Sequence, residues 1–191
     1  MLRREFLLLT LSLLSNQNDT VQAGDILLTR NFGGEEINTS PGYYNHSAIV
    51  GPLNWVIEAQ QTPNSIIAVP IWNFFDRYPE ILVLRNINAS IAEQTAQTAT
   101  LFVGRTYAKY MSVRPMFLWK YNDNCTSLIK RIYNKVTSKV YRWIIPDDFL
   151  RTPWLNRVSL KKDYENFVKP ENNYVGMQKT WPNSPAKKYD N

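Results

Sequence analysis

Short apolar blocks separated by turn residues fill the first half of the chain, and helical spacing takes over only in the second. Ile26-Leu27-Leu28-Thr29-Arg30, after Gly24-Asp25, reads as a first strand. Residues 31–45 carry Gly, Ser and Pro and form a loop before a second strand, His46 to Val50. Gly51-Pro52-Leu53-Asn54 is a turn, with further strands predicted at Trp55 to Ala59, Ile66 to Ile71 and Ile81 to Arg85. Between the last two, Trp72 to Tyr78 carries four aromatic rings and is expected to cover part of a groove.

Helical patterning begins at Ser90-Ile91-Ala92-Glu93, which has capping-box spacing. Ala92, Ala96, Ala99 and Val103 then recur on one face before Gly104. A second helix opens at Cys125, where polar Asn122-Asp123-Asn124 gives way to Leu128, Ile129, Ile132, Tyr133 and Val136, and it ends near Ser138. Pro146 to Leu150 begins a short helical turn. Residues 171–191, rich in Asn, Lys and Pro, read as an extended polar tail. With no internal repeat and no linker, the order predicts a single α+β domain over residues 24–170.

Residues 1–23 have the three zones of a signal peptide: basic Met1-Leu2-Arg3-Arg4, apolar Phe6 to Leu14, and a polar stretch ending Val21-Gln22-Ala23. The apolar run of nine residues is too short for a bilayer, which needs ~20. Arg3-Arg4-Glu5-Phe6-Leu7 also resembles the twin-arginine export motif. Asn-X-Ser/Thr sequons at Asn45 and Asn124 abut His46 and Cys125, where glycans would block a site. Bacterial export, to the periplasm or outside the cell, is therefore the expected route.

Composition narrows the chemistry. At 191 residues, 44% hydrophobic and 20% charged, the chain suits one folded core. The net charge of +6 favours anionic partners such as cell-wall polymers or acidic lipid. The basic tail reads as solvating, so nucleic acid is not an expected partner. One cysteine excludes an intramolecular disulfide and Cys-rich zinc sites, and one histidine argues against a histidine-based metal centre. No phosphate-cradling glycine loop occurs, and no cofactor is expected.

Those two scarce residues, Cys125 and His46, are the parts a thiol nucleophile needs. A helix N-terminus favours the thiolate through its partial positive charge and its unpaired N–H groups, and a nearby imidazolium does the same. The imidazole can then protonate a leaving group, and the N–H of Cys125 can bind a developing oxyanion. A third group must orient the ring. Glu58, one strand on and flanked by apolar residues, is the candidate, with Gln60 next if Glu58 faces away. In an antiparallel hairpin, His46 and Glu58 share a face only if paired residue numbers sum to an even value.

Gly24-Asp25-Ile26-Leu27, Asn45-His46-Ser47-Ala48-Ile49-Val50-Gly51, Val56-Ile57-Glu58-Ala59 and Asn124-Cys125-Thr126-Ser127-Leu128-Ile129 occur in that order. Together they resemble the circularly permuted papain-like amidases of the YiiX/YaeF type, related to NlpC-type and lecithin–retinol-acyltransferase-like proteins. The resemblance implies a permuted papain-like fold, an antiparallel sheet packed against the helix that carries the nucleophile. It implies Cys125 as nucleophile, His46 as base and acid, and Glu58 as the orienting group. Gly104-Arg105-Thr106-Tyr107 is similar to a Gly-X-X-Tyr segment of that family, which offers Tyr107 to the substrate pocket or the oxyanion. The acidic residue that often follows the family's cysteine is absent at Ser127-Leu128.

The leading expectation is thus an exported cysteine hydrolase of the amidase or peptidase kind, cleaving peptide or cell-wall peptide bonds through a thioester. A thiol acyltransferase or phospholipase acting on lipid esters, with peripheral membrane contact, is the second. A non-catalytic binding module is the third. The acidic pairs Glu35-Glu36 and Asp147-Asp148 read as solvated loop charges, since glycosidase carboxylates come from separate segments.

Overall fold

A computed structural model describes residues 20–30, 42–107 and 124–160. Within them lies one sheet of six antiparallel strands: β1 (Ile26–Thr29), β2 (His46–Val50), β3 (Trp55–Gln60), β4 (Ser65–Pro70), β5 (Ile81–Asn86) and β6 (Leu155–Val158). The strand order is β4-β3-β2-β1-β5-β6. Three α-helices accompany the sheet: α1 (Ile71–Arg77), α2 (Ala89–Ala99) and α3 (Cys125–Thr137). The long loop, the polar tail and most of the signal segment lie outside the described residues.

The central strands read as continuous apolar runs because both sheet faces are covered. On one face, Ile26, Leu28, Ile49, Ile57, Ile66 and Leu84 pack with Leu128, Ile129, Ile132 and Tyr133 of α3. On the other, Leu27, Ala48, Val50, Val56 and Val83 pack with Ile71, Phe74, Phe75 and Tyr78. The aromatic segment after β4 is therefore part of a second core, not the cover of a groove. Its rings meet the sheet because α1 follows Pro70 without a loop.

Other boundaries also differ from the sequence expectation. Asn88, not Ser90, caps α2, its side-chain oxygen accepting from the N–H groups of Ser90 and Ile91. Val103 lies beyond both α2 and the 3₁₀ turn at Thr100–Phe102. Strand β6 was not anticipated, since of its four residues only Leu155 is buried, too little for an alternating pattern. Asp147 and Asp148 are backbone anchors rather than free surface charges. Asp147 accepts from the N–H groups of Tyr43 (2.7 Å) and Tyr44 (2.8 Å), and Asp148 from those of Ile144 (2.6 Å) and Ile145 (3.0 Å).

Gly24 makes the entry to β1 possible. Its φ is +88°, and a Cβ there would lie 2.2 Å from the carbonyl oxygen of Ala92 in α2. A side chain would meet both backbone strain and a rigid helix. Gly24→Ala is expected to lower unfolding free energy by roughly 2–4 kcal/mol in urea denaturation.

Candidate active site

Helix α3 begins at Cys125, and its start is locked by reciprocal bonds. The Asn124 side chain accepts from the N–H of Ser127 (2.7 Å), and the Ser127 hydroxyl accepts from the N–H of Asn124 (2.7 Å). This capping box holds the thiol in the first turn, where the helix dipole is felt most. Cys125 is half-buried. The His46 side chain and the N–H of Ser47 lie near enough to its sulfur to lower the thiol pKa. The Ser47 hydroxyl, fully buried and without a hydrogen-bond partner, faces the same sulfur.

His46 opens β2 and is 2% exposed. β2 and β3 pair as Ala48 with Glu58 and Ile49 with Ile57, an even register, so His46 and Glu58 share a face, one step diagonal to each other. The Nε2 atom of His46 lies 3.0 Å from Oε2 of Glu58, leaving Nδ1 as the nitrogen that can serve the thiol. Tyr78 stacks on the imidazole with ring centres 5.5 Å apart, and Phe74 lies at 6.4 Å. The ring is thus fixed by a carboxylate at its edge and aromatic faces at its side.

Glu58 is completely buried, a costly place for a carboxylate without partners. Four side chains meet it. Arg77, at the end of α1, forms an ion pair with Oε1. Gln60 donates to Oε2 at 2.7 Å, His46 meets the same oxygen, and the Tyr78 hydroxyl stands 3.5 Å away. Gln60, the fallback orienter in the sequence reading, therefore supports Glu58 and does not replace it. Arg77 was not anticipated, because it lies 19 positions from Glu58 with no periodic relation to it.

The charges reinforce one another. Burial pushes the Cys125 thiol up, but the hydrogen bond and charge of His46, with the Ser47 N–H, outweigh it and hold the thiol below its ordinary value. For His46, burial acts downward. The phenol oxygen of Tyr78, the hydrogen bonds to Cys125 and Glu58, and the charge of Cys125 raise the imidazole well above 6.5. Burial would raise Glu58, yet its bond to His46 and the Arg77 guanidinium bring it below 4.5. These directions favour a thiolate facing an imidazolium, backed by a carboxylate.

Tyr107 is half-buried against the α3-side core, and its N–H donates to the carbonyl of Asn64 (3.2 Å) beyond the β4 edge. The fold brings Cys125, His46 and Glu58 together, whereas Tyr107 packs against the α3-side core.

The fold is YiiX-like. The crystal structure of the metalloprotein YiiX from Escherichia coli O157:H7, a DUF1105 protein, superimposes with a TM-score of 0.59. The match covers 73% of this chain and 97% of that one, at 15% sequence identity. No family profile matches the sequence, and no curated protein matches it. At that identity the likeness speaks to fold alone. Among the described residues, no group of three His, Cys, Asp or Glu side chains could hold a metal ion.

Glu58 and His46 contribute to stability in opposite pH ranges. Glu58, lowered in the fold, adds stability above its unfolded value near 4.5, and that stability is lost as pH falls through the folded value. His46, raised in the fold, adds stability below its unfolded value near 6.5, lost as pH rises through the folded one. Glu58→Gln is expected to cost roughly 1–3 kcal/mol at neutral pH. The gap should narrow on acidification below 4.5 in a series of urea denaturation curves.

Proposed function

We propose that the protein is a thiol-dependent hydrolase of amide bonds, most simply peptide or cell-wall peptide linkages. The observation that carries this reading is the alignment of Cys125, whose thiol pKa the neighbouring His46 holds down, with a His46 ring that lies 3.0 Å from Glu58. The thiolate of Cys125 attacks the amide carbon, and the carbonyl π electrons move to oxygen, where the first-turn N–H of Cys125 is positioned to receive the negative charge. The intermediate collapses to a thioester as the C–N bond breaks and His46 gives its proton to the departing nitrogen. A water molecule, deprotonated by neutral His46, then attacks the thioester, releasing the acid and restoring thiolate and imidazolium. Glu58 stays ionised throughout and fixes the ring.

The permuted papain-like arrangement belongs to this proposal, since it rests on the order of histidine strand and cysteine helix. The lipid-ester alternative gains no acyl-chain surface from Phe74 and Phe75, which are buried in the core. Among the described residues no helix is long and apolar enough to cross a membrane.

Export remains part of the proposal, with the cut moved. Val21 is 6% exposed and packs in the α1-side core. The carbonyl of Thr20 accepts from Arg85 (2.6 Å), and the N–H of Gln22 donates to Asp25 (2.8 Å). A cut after Ala23 would discard all three contacts, which favours cleavage before Thr20. N-terminal sequencing of exported protein is expected to retain Val21; a chain starting at Gly24 would contradict this.

Cys125→Ala is expected to fold normally and to lose amide hydrolysis by at least about 10³-fold, with His46→Ala similarly impaired. A panel of peptide and cell-wall peptide amides, with lipid esters as the contrast, gives the assay. Full hydrolysis by Cys125→Ala would sink the reading.

A further inference from the structure

Glu58 has two kinds of cationic partner, and they differ in permanence. His46 is a cation only while protonated, whereas the guanidinium of Arg77 is always charged. In the thiol-hydrolase reading, on which this inference rests, the resting site holds a thiolate, an imidazolium, a carboxylate and a guanidinium, and the charges cancel. Once the imidazolium has protonated the leaving nitrogen, sulfur is an uncharged thioester and His46 is neutral. Glu58 and Arg77 remain and still cancel. Without Arg77, the same buried site would carry one uncompensated negative charge in both states.

We propose that Arg77 is a positioning residue of the thiol site, neutralising Glu58 in every protonation state of His46 and turning the carboxylate so that Oε2 faces the ring. The geometry is built for this division. Arg77 takes Oε1, while His46 (3.0 Å) and Gln60 (2.7 Å) share Oε2. The guanidinium lies 5.2 Å from the ring centre of Tyr78 and 5.7 Å from that of Phe74, the two rings beside His46. One end of α1 therefore supplies both the aromatic wall of the imidazole and the counter-charge of its carboxylate. Arg77 acts through Glu58 and has no contact with the sulfur among the bonds described above. Its side chain is 34% exposed, so a shorter or neutral replacement leaves no sealed cavity.

Among the described residues, the charged and titratable groups facing Glu58 are His46 from β2, Arg77 from α1 and the Tyr78 phenol just beyond it; Cys125 on α3 reaches it through His46. Removing a cation makes each of these protons harder to lose. Arg77→Met should thus move the titrations of both Cys125 and His46 to higher pH, whereas Glu58→Gln should move both lower.

The full chain is well suited to the measurement, since it has one cysteine and one histidine. Iodoacetamide alkylation against pH reads a single thiol, and imidazole resonances in NMR read a single ring. Arg77→Met is expected to shift both curves upward by about one pH unit, slowing alkylation on the acid limb about tenfold. Arg77→Lys, which keeps the charge, should recover most of that loss. If Arg77→Met does not fold, Arg77→Gln removes the charge while keeping a donor toward Oε1. A folded neutral variant with both curves unmoved overturns the role of Arg77 and leaves the hydrolase reading standing. A wild-type Cys125 that titrates like a free thiol, near ~8.5, overturns both.

Discussion

A carboxylate sealed inside a sheet covered on both faces must be neutralised where it stands, and much of the local architecture follows from Glu58. Its strand neighbours Ile57 and Ala59 are buried against the α3-side core, so the carboxylate has only the opposite face on which to find partners. That face is where α1 returns, bringing Arg77 and Tyr78. The even register of β2 and β3 puts His46 there as well. One electrostatic requirement thereby ties together a hairpin register, a short helix and an imidazole orientation.

The sulfur reaches the ring from another direction. Helix α3 packs against the opposite sheet face, but its first residue projects at the end of β2, where His46 is the opening position. The capping box at Asn124 and Ser127 holds that first turn in place. The anchor from Asp147 to the N–H groups of Tyr43 and Tyr44 ties down the chain immediately before His46. The two halves of the site are thus fixed by separate backbone devices and meet at the rim of the sheet, where a half-buried thiol can still be approached.

Much of this was legible before any tertiary information. The five earlier strands and the opening of α3 at Cys125 follow from local spacing, and the scarcity of thiol and imidazole singles out Cys125 and His46. The misreadings share a cause. Trp72, Phe74, Phe75 and Tyr78 are aromatic whether they cover a groove or fill a core, and only the second face of the sheet decides which. Asp147 and Asp148 resemble any solvated acidic pair until the N–H groups they serve, one set over a hundred positions away, are brought alongside. Strand β6 has a single buried side chain and exists mainly through its pairing with β5.

Sequence alone determined the local elements and the chemical inventory: a short apolar run bounded by turn residues makes a strand, a polar cap before an apolar stripe starts a helix, and one cysteine and one histidine leave few chemistries open. Tertiary structure alone decided that Glu58 faces His46, that Arg77 is its counter-charge, and that Val21 belongs to the core. The reason is range. Capping and periodicity act within a turn or a strand, whereas register, burial and charge pairing join residues distant along the chain and exist only once the sheet has closed its two faces.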